Sequence, residues 1–84
     1  MTTPDERTRA LVQAGAFLKD LRADPTLPES IRSEAHRLLR HYPSTGALRH
    51  IAMAIEAQPW MPQLSAEHNP DWLRGYRHGA HEEG

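Results

Sequence analysis

Proline placement constrains this chain more than any other feature. Pro4, Pro25, Pro28, Pro43 and Pro59 divide its first sixty residues into three stretches. Proline lacks a backbone donor and clashes with the preceding helical turn, so it suits the first turn of a helix and stops one elsewhere. Between these marks the apolar residues recur with the period of a helix, not the alternation of a strand. In the first stretch Leu11, Ala14, Leu18 and Leu21 fall at i, i+3, i+7 and i+10, with Ala10 and Phe17 widening the stripe. In the second, Ile31, Ala35, Leu38, Leu39 and Tyr42 share a sector about 100° wide, the span of a core-facing helix. In the third, Leu48, Ile51, Ala52 and Ile55 do the same.

The stretches also carry start and stop signals. Thr3-Pro4-Asp5-Glu6 reads as an N-cap, a first-turn proline and a capping-box glutamate, and Asp24-Pro25 reads as a stop. Leu27-Pro28-Glu29 opens the second helix, with Leu27 placed to staple onto Ile31, and Pro43 ends it. Ser44 is a good N-cap for the third, which Pro59 closes. Short connections make successive helices neighbours. The expected fold is therefore all-α: a three-helix bundle over about 4–23, 28–42 and 45–57. Pro59, Pro62 and Pro70 break the pattern beyond it. There Trp60, Met61 and Leu64 are expected to pack back on the bundle. Asn69-Pro70-Asp71 announces a short fourth helix over 70–77, with Gly79 as a C-cap. Residues 1–79 read as one helical domain and 80–84 as a frayed tail.

Composition excludes several classes of function. The 84 residues include no cysteine, so neither a disulfide framework nor a thiolate metal cage is available. No run approaches the length of a membrane span, and Met1–Glu6 is too polar for a secretory signal, which together point to the cytoplasm. Net charge is −1, unlike the basic footprint of a nucleic-acid binder.

Two surface constellations stand out. Arg32, His36 and Arg40 are spaced four apart on the second helix and suit a phosphate or carboxylate, or equally a solvated face. Trp72, Arg74, Tyr76 and Arg77 concentrate the residue types that dominate protein interfaces, although Trp72 and Tyr76, like Trp60, also suit the closing of a small core. Helices two and three could form a helix-turn-helix. The third helix offers Arg49 and His50 but no cluster of base-reading side chains at its start. His68, His78 and His81 suggest at most weak metal binding, with no built ligand set. Ser30, Ser33, Ser44 and Ser65 lack a nucleophile elbow, and the carboxylates show no acid–base pairing.

The strings Pro4-Asp5-Glu6-Arg7-Thr8-Arg9-Ala10 and Arg37-Leu38-Leu39-Arg40-His41-Tyr42-Pro43 resemble those of a family of short uncharacterised bacterial helical proteins. The resemblance covers the first half of the chain well and implies a bacterial, cytoplasmic helical protein. It carries no functional residues across. The expected role is that of a small helical protein-interaction or regulatory module, not an enzyme, with no cofactor and another protein as partner. Nucleic-acid binding through the basic helix and weak metal binding by the C-terminal histidines are the alternatives.

Overall fold

The computed structural model describes residues 3–58, 60 and 63–82. Among them the regular structure is entirely helical: α1 (Pro4–Ala23), α2 (Glu29–Leu39), α3 (Thr45–Glu56) and a single 3-10 turn at Pro70–Leu73. The local signals act as their chemistry requires. The Thr3 hydroxyl accepts from the Glu6 N–H at 3.1 Å, and the Glu6 carboxylate accepts from the Thr3 N–H at 3.2 Å. These two bonds satisfy donors that a helix start otherwise leaves open. Ser44 caps α3 by accepting from the Ala47 N–H at 3.1 Å. α2 opens with Pro28 at the cap and no side-chain bond. It ends three residues earlier than 42 because Arg40, His41 and Tyr42 tighten into turns.

α1 and α2 pack closely as an antiparallel hairpin, whereas α3 is tied in largely by the segment that follows it. That segment runs back along α1. The Thr8 hydroxyl accepts from the Ser65 N–H at 2.8 Å while donating to the Pro4 carbonyl, so this buried polar group is satisfied twice. Gln13 Nε2 donates to the Trp72 carbonyl at 3.0 Å. The Asp20 carboxylate accepts from the Arg77 and His78 N–H groups. Lys19 Nζ donates to the Ala80 carbonyl at 3.0 Å. The Thr45 N–H donates to the His81 carbonyl, which brings the start of α3 under the same strap.

This strap changes which face of α1 is interior. Thr8, Val12, Gly15 and Ala16 are buried, whereas Ala10 and Ala14 are exposed and Leu11, Leu18 and Leu21 are half-buried. Phe17, expected at the edge of the core, is 53% exposed. The core face lies about 120° around the helix from the predicted stripe, at 100° per residue, and Tyr42 and His81 occupy that side. The Tyr42 hydroxyl donates to the Leu11 carbonyl, its ring meets the His81 ring edge-on at 6.1 Å, and both crowd Gly15. On α2, Ala35 and Leu39 are buried, but Ile31 and Leu38 keep about two-fifths of their surface in solvent. On α3, Leu48 and Ala52 are buried and Ile51 is not.

Three expectations for the C-terminal third are corrected. Trp60 does not fold back on the helices but is 77% exposed. Met61 lies outside the described residues. In place of a fourth α-helix over 70–77 there is the four-residue 3-10 turn, begun by the Asn69 side chain accepting from the Asp71 N–H. Gly75 follows at φ +94°, a left-handed conformation that turns the chain out of any helix. The tail expected to fray from residue 80 is held at Ala80 and His81, and His81 is only 4% exposed.

Candidate functional site

The sequence singled out Trp72, Arg74, Tyr76 and Arg77 as one interface patch, and the structure divides them. Trp72 is half-buried on the 3-10 turn and tilts against His68, with ring centroids 5.9 Å apart. It lines a cleft of about 350 Å³ with Asp5, Arg9, Glu67 and His68. Tyr76 and Arg77 line a different cleft of about 400 Å³, beside Phe17, Asp20 and His78. The left-handed Gly75 separates the two groups. Arg74 is exposed and pairs with Asp71 at 3.1 Å.

His68 is the unusual titratable group of the first cleft. Both its ring nitrogens are shielded from solvent, with no hydrogen-bond partner among the described residues. Burial, reinforced by the Arg49 charge, holds its pKa below the ordinary 6.5. A base whose folded-state pKa is depressed contributes stability that is present above its unfolded value and is lost as pH falls through the folded one. Thermal melts taken downward from about pH 7.5 should therefore show stability falling below about pH 6.5, and His68→Gln should reduce that slope.

The basic face of α2 is a solvated surface with one anchored member. Arg32 is half-buried and its Nε donates to the Leu27 carbonyl at 3.2 Å, which pins the α1–α2 connection. His36 and Arg40 are exposed. Arg37 pairs with Glu34 one turn away. The C-terminal histidines do not converge. His78 is exposed, whereas the His81 Nε2–H donates to the Tyr42 carbonyl at 3.2 Å from inside the core. Among the described residues no group of three or more metal-ligating side chains comes together.

The surface that sequence reasoning missed is apolar. Leu18 and Leu21 of α1 face Ile31, Ala35 and Leu38 of α2 across an open groove of about 430 Å³, with Ser30 and Glu34 at its edge. Ala14 is exposed one turn before Leu18 on the same side. The basic residues His36 and Arg40 lie on roughly the opposite side of α2, since steps of 100° per residue carry them away from Ile31 and Leu38. The signal for this groove was in the sequence: the regularly spaced stripe Leu11, Ala14, Leu18 and Leu21, read there as core. No family model matches the chain, and no curated protein or solved structure is detectably similar to it.

Proposed function

We propose that this chain is a small protein-interaction module that docks a helical partner in the α1–α2 groove. One observation carries the reading. Beyond the interior face that the strap covers, α1 carries half-buried Leu18 and Leu21, which line an open groove beside exposed Ile31 and Leu38 of α2. Contiguous apolar patches rimmed by polar residues mark binding surfaces, and helices dock into such grooves through residues one turn apart. No helix among the described residues is long and apolar enough to cross a membrane.

The reading moves the expected interface from Trp72, Tyr76, Arg74 and Arg77 to the groove. The aromatics are half-buried and belong to separate clefts, while the groove offers several aliphatic side chains at helical spacing. Such a module binds rather than catalyses and uses no cofactor.

A photo-crosslinking residue at position 38 tests the proposal, with one at Ser33, exposed on the far side of α2, as control. In its host at native expression, position 38 should form a covalent adduct with a protein and position 33 should not. Absence of any adduct from position 38 would overturn the reading.

A further inference from the structure

We infer that His68 is a proton-operated partition between two clefts: its neutral ring seats the 66–71 stretch against α1 and α3, and its protonation turns that stretch outward and joins the clefts. The inference is independent of the α1–α2 groove.

The first argument is where His68 sits. It lines the cleft of about 350 Å³ at the start of α1. It also lines a second cleft of about 190 Å³, walled by Val12 of α1, Thr45 and Arg49 of α3, Leu73 and Glu82. His68 and its neighbour Asn69 are common to both, so this pair is the wall between them.

The second argument is how the stretch is held. The Ser65 N–H is tied to Thr8, and the Trp72 carbonyl to Gln13. Between these ties, residues 66–71 make no hydrogen bond to α1, α2 or α3 among the described residues. Glu67, Asn69 and Asp71 bond only within the stretch and its flanks. What seats the middle is the His68 ring, which packs against Trp72 with both nitrogens out of solvent. A stretch pinned at its ends and seated by one side chain opens locally when that side chain leaves.

The third argument is the chemistry of the ring. Neutral imidazole carries one donor and one acceptor, whereas imidazolium carries two donors and a charge. In the closed position neither nitrogen has a partner, so the added N–H and charge would be buried unsatisfied. Arg49 of α3 adds a repulsion. Asp5, Glu6 and Arg9 of α1 and Glu67 line the first cleft, and Glu82 lines the second, but none of them bonds the ring. An imidazolium that swings outward into the first cleft gains water, meets three carboxylates against one arginine, and leaves Arg49 behind. With the folded-state pKa held down, the closed form is favoured at neutral pH and is lost as pH falls through that lower value. Opening uncovers Val12, now 4% exposed, and Leu73, which give the joined cleft an apolar floor.

Trp72 reports on the opening because the His68 ring lies against it. In a Trp60→Phe background, altered only at an exposed position, Trp72 is the sole tryptophan. Acrylamide quenching of its fluorescence is measured from about pH 7.5 to about pH 5, with circular dichroism on the same samples. Quenching should rise along a one-proton curve below about pH 6.5 while helicity holds. His68→Gln, which takes up no proton, should remove the rise. Arg49→Gln, at an exposed position, should move the curve to higher pH. Quenching that stays flat, or that rises only as helicity is lost, overturns the inference. So does a rise that persists in folded His68→Gln. If that variant does not fold, an Arg49→Gln curve that fails to move overturns it instead.

Discussion

Gly15→Ala should destabilise the protein although it places the best helix former in the middle of a helix. In an open helical position the same change would stabilise by up to about 1 kcal/mol. Here an added Cβ would lie 2.9 Å from Tyr42 Cε1 and 3.2 Å from His81 Cβ. The tyrosine ring cannot swing aside freely, because its hydroxyl is bonded to the Leu11 carbonyl and its ring packs against the His81 ring. Over-filling a packed site costs roughly 1–3 kcal/mol, which outweighs the gain in propensity. Gly15→Val should reach the upper end of that range, since it adds branched bulk at the same point. Differential scanning calorimetry gives the sign directly: a lower melting temperature for Gly15→Ala supports the contact, and a higher one refutes it.

Adjacent leucines on α2 should behave very differently. Leu39 is 3% exposed and Leu38 is 41% exposed. Leu39→Ala removes buried methylenes and leaves a cavity, at a cost of about 2–5 kcal/mol. For a chain this small that is a large part of the total stability, which is on the order of 5 kcal/mol. Urea titration should therefore find Leu39→Ala largely unfolded or nearly so. Leu38→Ala should cost clearly less, about 1–2 kcal/mol, because a large part of the side chain stays in water and no enclosed cavity is left. Equal costs for the two would mean that the hairpin packs through a different face.

The two substitutions bear on what the sequence made legible. Helix starts and stops were readable because their causes are local. Thr3 and Glu6 are three residues apart, Ser44 reaches only to Ala47, and each proline acts on its own turn. The interior face of α1 was not readable, because its apolar residues cover more than one side. Periodicity favoured the larger leucines, while the true interior is made by Val12, Ala16 and Gly15 with Thr8. Thr8 and His81 gave no sequence signal of burial. What admits them to the core is bonding to Ser65 and Tyr42, 57 and 39 residues away. Trp60 misled in the opposite direction, since its apolar character says nothing about where a proline-rich segment carries it. The candidate site was half legible. Its residues were singled out for their spacing, but the same spacing suits a core and an interface equally.

The strap that closes on His81 also sets the order in which the protein can be completed as it is synthesised. α1 and α2 are finished by residue 39, but the Tyr42 ring and the start of α3 gain their lasting neighbour only at residue 81. At about 5–20 residues per second, translation leaves that gap open for roughly 2–8 seconds. During this time the nascent hairpin presents both apolar faces of α1 to its surroundings. The outward groove is complete before the inward core is, so it is exposed for binding while the fold around it is still open.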